Sequence, residues 1–275
     1  AEKGKGTIIL AYTHGQPAQP TTWGHYLGAF IEILQRDVER ITVARSSSEL
    51  CSMGAAAITT TGFNLDRKRM SDLLGFAAPL ENSYGCISSV DYVTGLYSAL
   101  KVMFLNMGRF IQDLAQRSAF EVGHIYVPNE FVQISSIMPQ KRNPVPIEHM
   151  RLIASLSSGH CDTIINTMHN TPFTDMNDSE TEVQRAGHQA FESGSRLLLL
   201  LTDFINVVQI DEEKVMKDIG KSCATITEVA DSIARIEGVS FKIAHEIAGD
   251  MAKRVTADEI TLEDFVYKEF QDIYR

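Results

Sequence analysis

Apolar side chains recur at three- and four-residue steps through four long stretches of the chain. Trp23, Leu27, Phe30, Ile31, Leu34, Val38 and Ile41 mark the first, with Arg36, Asp37, Glu39 and Arg40 on much of its other face. That spacing predicts a helix running to about Arg45, capped by Thr21 or Thr22. Val93, Leu96, Leu100, Met103, Phe104, Met107, Phe110, Ile111 and Leu114 mark a second, from Asp91 to about Ser118. Ile147, Met150, Ile153, Leu156, Ile164 and Ile165 mark a third, about 145 to 169, which Thr171-Pro172 breaks. The fourth starts at Asp178 or Ser179 and carries Val183, Phe191, Leu197, Leu198, Leu201, Phe204 and Ile205. Helices of roughly 25 to 30 residues exceed the usual globular length, and antiparallel long helices with such stripes make a bundle. Stripes this wide face more than one neighbour, so the bundle is expected to oligomerise.

The intervening segments are less regular. Gly6 to Ala11 is a short apolar lead-in, and the prolines and glycine of Tyr12 to Pro20 make that segment non-helical. Asp66 to Leu74 reads as a short helix stopped by Gly75, and Pro79 to Ser89 as a loop rich in Asn, Ser and Gly. Beyond 208 the units shorten to Asp211–Ile219, Ala224–Ile236, Phe241–Arg254 and Leu262–Phe270. Gly238 and Thr256 punctuate them, and Thr261 caps the last. The expected fold is all-α: a long-helix bundle over 1–208 and a small helical C-terminal domain over 209–275. No strand-rich region and no internal repeat is visible.

Composition narrows the function. At 275 residues the chain can bury a large core. A net charge of −10 argues against a general nucleic-acid binder. No run of about 18 apolar residues suggests a membrane helix, and no secretory signal is visible. Cys51, Cys86, Cys161 and Cys223 are far apart and form no C-x-x-C pair. Metal and disulfide roles are not expected, and a reducing cytoplasm is the simplest home. His160-Cys161 is the only local pairing of such ligands and reads as helix surface or core.

The densest chemistry is Ser135-Ser136-Ile137-Met138-Pro139-Gln140-Lys141-Arg142-Asn143-Pro144, followed by Glu148. Two hydroxyls, a lysine, an arginine and an amide sit between prolines that disfavour helix. It reads as a loop ending where a helix begins, with Pro144 or Pro146 near the first turn. Its donors suit an anionic ligand, and on chemistry alone a solvated basic turn accounts for it equally well.

This stretch resembles the flexible catalytic loop of the fumarase/aspartase superfamily, usually written G-S-S-x-M-P-x-K-x-N-P, with Ile134 in place of the glycine. Tyr12 to Pro20 is similar to the family's T-H-x-Q-x-A-Q-P block. Val239-Ser240-Phe241-Lys242-Ile243-Ala244-His245-Glu246 resembles the G-V-P-F-R-x-A-H-E motif of the argininosuccinate lyase branch. The resemblance implies the second and third domains of such a lyase, without the first and its S-x-N-D-type anion motif. It also implies a homotetramer with active sites shared between chains, so that this span alone is expected to be inactive.

The implied reaction is β-elimination of fumarate from an N-substituted succinyl compound, with no cofactor and no metal. Argininosuccinate, giving arginine and fumarate, is the first substrate in view; adenylosuccinate or another succinyl-type compound is the alternative. By resemblance Ser135 is the base, Lys141 and Asn143 hold the carboxylate, and Lys141 also steadies the carbanion. His14 is implicated in acid transfer and Glu148 pairs with it. Thr13, Gln16 and Ser136 contact substrate, Ser136 as a loop donor rather than the base. His149, one step from Glu148, points elsewhere on a helix. His25, His124, His169, His188 and His245 read as core or surface.

Two places depart from the argininosuccinate lyase pattern. Ser88-Ser89-Val90-Asp91-Tyr92 stands where S-D-R-D-F is usual, and Asp175 and Glu180 stand at Tyr and Gln positions. The fumarate half of the site is retained and the leaving half is altered. A non-catalytic helical oligomer is the rival reading, opposed by His14, Ser135, Lys141, Asn143 and Glu148 occurring together. A metal-dependent hydrolase lacks any ligand spacing.

Overall fold

The computed structural model describes residues 1–258 and 260–265. In chain order the strands and helices begin with β1 (Ile8–Thr13), β2 (Gln16–Thr22) and α1 (Trp23–Ser46). β3 (Leu50–Cys51), α2 (Arg67–Leu74), β4 (Ala78–Pro79), α3 (Ser83–Ser88) and α4 (Asp91–Ser118) follow. Then come β5 (Ile125–Tyr126), β6 (Gln133–Ile134), β7 (Arg142–Asn143), α5 (Val145–Met168) and α6 (Thr181–Val207). β8 (Gln209–Ile210), α7 (Glu212–Lys221), α8 (Ile226–Glu237) and α9 (Phe241–Ala257) complete the described part. No described helix is long and apolar enough to cross a membrane.

The helical bundle expected from the stripes is present, and its four long helices fall where the periodicity puts them. Local chemistry sets several ends. The Asp66 carboxylate accepts from the Arg69 amide at the start of α2, and Gly75 closes it in the left-handed region at φ 78°. Three segments differ from the sequence reading. Tyr12 to Pro20 is not merely irregular: β1 and β2 pair there as an antiparallel hairpin. Pro79–Ser89 contains the helix α3, because the Asn82 side chain accepts from the Tyr84 and Gly85 amides. Thr256 interrupts nothing, since its hydroxyl bonds back to the Ala252 carbonyl inside α9. The element expected at Leu262–Phe270 begins as a 3-10 turn, Leu262–Asp264, with a Thr261/Asp264 capping box; positions 266–270 lie outside the described residues.

The chain divides into two compact units. One comprises residues 1–29, 117–126 and 208 onward. In it the hairpin packs on α7 through Leu10, Val215, Ile219 and Ala224, with Tyr12 and Ile210 against them. Strands β5 and β8 pair beside them, and α8 packs on α9 across the left-handed Gly238.

The other unit comprises residues 30–116 and 127–207 and holds most of the long-helix bundle. Phe30 stacks on Phe110 with ring centroids 3.9 Å apart. Gly187 and Gly194 let α6 approach α4 closely: a Cβ there would sit 2.2 Å from the Tyr97 hydroxyl and 2.6 Å from Phe104. Asp37, assigned by its sequence position to the polar face of α1, is instead fully buried and held by Asn106 and Arg40. Conversely Val38, Val43, Leu105, Leu152, Leu156 and Leu199 are exposed on helices whose stripes predicted burial or lie beside it.

Candidate active site

Thr13, His14 and Gln16 sit together at the tip of the hairpin. Thr13 pairs with Gln16 across a two-residue turn whose central residues, His14 and Gly15, have φ of 53° and 73°. Positive φ at both positions is the signature of a type I′ turn, whose twist matches that of the strands it joins. Glycine adopts this freely, whereas a histidine there is held against its own preference. All four tip residues are exposed.

The hairpin root is built differently. Ile9 and Leu10 are buried, and the register shifts between Leu10 and Tyr12. Pro20 and Pro17 stand opposite those two residues and have no N–H to give. The Leu10 carbonyl is served instead by Arg117 Nη1 at 3.0 Å, from the end of α4. The Arg117 guanidinium also lies 5.7 Å from the Tyr12 ring centroid and 4.7 Å from that of Tyr26.

Ser135, Ser136, Lys141 and Asn143 lie together in the second unit, on the loop closed by β6 and β7. The register is Gln133 with Asn143 and Ile134 with Arg142. Ser135 Oγ accepts from the Met138 amide at 3.0 Å and the Ile137 amide at 3.3 Å. The Ser135 amide donates to the Lys141 carbonyl at 3.3 Å, and the Lys141 amide to Met138 at 2.9 Å. Two backbone donors aimed at one hydroxyl oxygen favour its ionised form. Asn143 Nδ2 donates to the Gln133 carbonyl at 3.0 Å. Arg142 holds the loop's base, with Nη2 2.8 Å from both the Val127 carbonyl and Asn129 Oδ1. Lys141 and Ser136 are exposed, and Ile137, at the loop's tip, is 86% exposed.

Pro144 caps α5 and Pro146 stands in its first turn, as the loop-to-helix reading expects. Glu148 is exposed in that same first turn, where the helix dipole favours a carboxylate. The sequence-assigned residues thus fall into two groups: Thr13, His14 and Gln16 in one unit, and Ser135, Ser136, Lys141, Asn143 and Glu148 in the other. The two departures from the lyase pattern also meet: Val90 and Asp175 line one cleft of about 70 Å³ together with Ser88, Ser89 and Asp178.

Two further observations bear on chemistry. Among the described residues no cluster of three or more His, Cys, Asp or Glu side chains is placed to hold a metal ion. Cys161 is fully buried, and burial, then Asp162, pushes its thiol up to about 11, so it is inert as a nucleophile.

One group escaped the sequence reading. His124, assigned to core or surface, is fully buried with Nε2 2.9 Å from Asp218 Oδ2, and its ring lies 5.8 Å from that of Tyr12. Residue 12, the 117–124 segment and residue 218 are so far apart in the chain that no spacing could have linked them.

A long-helix bundle of this kind is also the fold of a known lyase. A family model described as Lyase matches residues 1–158, and one described as Argininosuccinate lyase C-terminal matches residues 223–275. The chain belongs to this lyase family, within the fumarase/aspartase superfamily. Argininosuccinate lyase 2 of Agrobacterium fabrum is 58% identical over 270 residues, covering 98% of this chain and 54% of that protein. Argininosuccinate lyase of Methanococcus maripaludis is 31% identical over 265 residues, covering 95% and 54%. The crystal structure of EDDS lyase in complex with formate matches with a TM-score of 0.89 at 25% identity, covering 99% of this chain and 54% of that one. The chain spans about half the length of the curated relatives it matches.

Proposed function

We propose that the full-length protein is a carbon–nitrogen lyase that releases fumarate by β-elimination, with argininosuccinate split into arginine and fumarate. The observation that carries this reading is the Ser135 hydroxyl, held by two backbone amides in a loop that also bears Lys141 and Asn143. The 58% identity to an argininosuccinate lyase supports the same branch.

A serine hydroxyl is a weak base until its anion is stabilised. The amides of Ile137 and Met138 do part of that here, and Lys141 adds positive charge nearby in the chain. Ser135 takes the proton from the carbon beside a carboxylate. The electron pair left behind forms the C=C bond as the C–N bond breaks. Lys141 and Asn143 hold the carboxylate onto which the charge spreads. His14 gives a proton to the leaving nitrogen, and Glu148 orients the imidazole and raises its basicity. Thr13, Gln16 and Ser136 supply further donors to the anionic substrate.

Large apolar side chains exposed along α1, α4, α5 and α6 support an oligomer, which the family resemblance makes a homotetramer in which each site draws on more than one chain. Residues 1–208 then act as the bundle domain with the catalytic loop, and 209–275 as the small helical domain, in a cytoplasmic enzyme of arginine biosynthesis.

The cleft that joins Val90 and Asp175 favours a second reading, in which the leaving half is not arginine. The test is fumarate release by the full-length protein, followed by ultraviolet absorbance, with argininosuccinate and adenylosuccinate run side by side. Release from argininosuccinate supports the first reading and release only from adenylosuccinate the second. Release from neither by an intact tetramer sinks both.

A further inference from the structure

The root of the hairpin holds more charge than a structural turn needs. Two groups, Arg117 and His124, flank Tyr12, the residue just before the Thr13-His14 tip, and Asp218 and Lys214 of α7 stand behind His124. Arg117 covers one side of its ring at 5.7 Å and takes the Leu10 carbonyl that the prolines of β2 cannot serve. The His124 ring lies 5.8 Å away, tilted by 48°. Asp218 of α7 accepts from His124 Nε2 at 2.9 Å and takes Lys214 Nζ at 2.6 Å. The backbone ties the same pieces together: the His124 amide donates to the Arg117 carbonyl at 2.9 Å, and the Asp211 amide donates to the His124 carbonyl at 3.0 Å.

The charge states agree with one another. Burial lowers the His124 pKa, Lys214 and Arg117 lower it further, and Asp218 only partly offsets them. A neutral imidazole donating from Nε2 to a carboxylate leaves Nδ1 as a bare acceptor, and Nδ1 has no hydrogen-bond partner. Burial raises the Asp218 carboxyl, but its hydrogen bonds to Lys214 and His124 outweigh that and hold it below the usual range. Burial, then Asp218, raises the Tyr12 hydroxyl, so the ring enters as a neutral aromatic face.

We infer that Tyr12, Arg117, His124 and Asp218 are positioning residues for the hairpin tip, fixing the backbone of Thr13, His14 and Gln16 through the Tyr12 ring and the Leu10 carbonyl. They act through the strand that delivers His14, and as a statement about turnover the inference rests on the lyase reading above. The Tyr12 contribution is its ring rather than its hydroxyl, because Arg117 lies over the ring, the His124 ring is 5.8 Å from it, and the hydroxyl makes no hydrogen bond to another described residue.

The test compares Tyr12→Phe and Tyr12→Leu in the full-length protein, reading amide hydrogen exchange at residues 13–16 alongside kcat and KM. Tyr12→Phe is expected to match the parent in both. Tyr12→Leu is expected to speed exchange at the tip while α7 and α8 keep their protection. It should also lower kcat roughly tenfold to a hundredfold with KM within about twofold, as small misplacements of a catalytic group do. Where Tyr12→Leu fails to assemble, Asp218→Asn, on a partly exposed side chain, is read the same way with a smaller loss. Unchanged tip exchange in a folded Tyr12→Leu or Asp218→Asn protein overturns the inference. Equal damage from Tyr12→Phe and Tyr12→Leu overturns it too. Faster tip exchange in a protein that releases no fumarate even as the parent supports the positioning role and refutes the lyase reading instead.

Discussion

The hairpin that carries His14 and the loop that carries Ser135 are anchored in opposite ways. The hairpin has a buried root: Leu10 lies in a core with Val215 and Ile219, and Arg117 and His124 flank Tyr12. Its tip is exposed, in a turn whose positive φ values leave few alternatives. The loop has no buried root. A two-residue ladder, the Arg142 clamp and the amides around Ser135 hold it, and its apolar tip stands in solvent. Segments with exposed hydrogen bonds and few buried contacts open at low free energy. On the proposed reaction, the His14 side would be presented preset and the Ser135 side on an element free to move.

Four changes break or sharpen that contrast. The largest effect belongs to Ser135→Ala in the full-length protein, which removes the proposed base and the acceptor of two loop amides. Turnover should fall by about 10² to 10⁴, as for loss of a general base, with the oligomer intact by light scattering. Wild-type-like turnover refutes the assignment. His14→Asn comes next. Asparagine tolerates the left-handed region, so the turn survives while the imidazole is gone. A loss of kcat of about 10² with unchanged melting is expected from steady-state kinetics and calorimetry.

Gly15→Ala tests the hairpin's rigidity without touching a reactive group. Open space surrounds the added methyl, so the penalty is the φ of 73° alone, about 1 kcal/mol in denaturant unfolding. A stability gain instead would mean that the turn is not as described. The smallest effect is a pH dependence at the hairpin root. His124 has its pKa lowered in the folded state, so its contribution is fully present above the ordinary histidine value of about 6.5 and is lost as pH falls through the lower folded value. Asp218, also lowered, adds a loss in the same direction further into acid. Stability should therefore decline on acidification from about pH 7 to about pH 5, and His124→Gln should flatten that slope. An unchanged slope in the variant would place the titration elsewhere.

The bundle was legible because long apolar stripes at helical spacing leave little choice of secondary structure, and α4 shows it from end to end. The loop was legible through its motif. The hairpin was not: Gln16 to Thr22 contains two prolines and no alternating apolar pattern, so its pairing depends on β1, α7 and Arg117. Asp37 shows the same limit, since its partner Asn106 is a contact that no local pattern encodes. The His124–Asp218 pair spans 94 residues and rests on the packing of α7. What the sequence leaves out in each case is tertiary contact between distant segments.

Under the proposed function the His14 hairpin and the Ser135 loop serve one reaction from different chains. Refolding full-length Ser135→Ala and His14→Asn chains together tests it most directly. Each variant alone is expected to be nearly silent, and the mixture to regain a measurable fraction of fumarate release. A mixture that assembles yet stays as silent as its components, while wild-type chains refolded alongside are active, would contradict it.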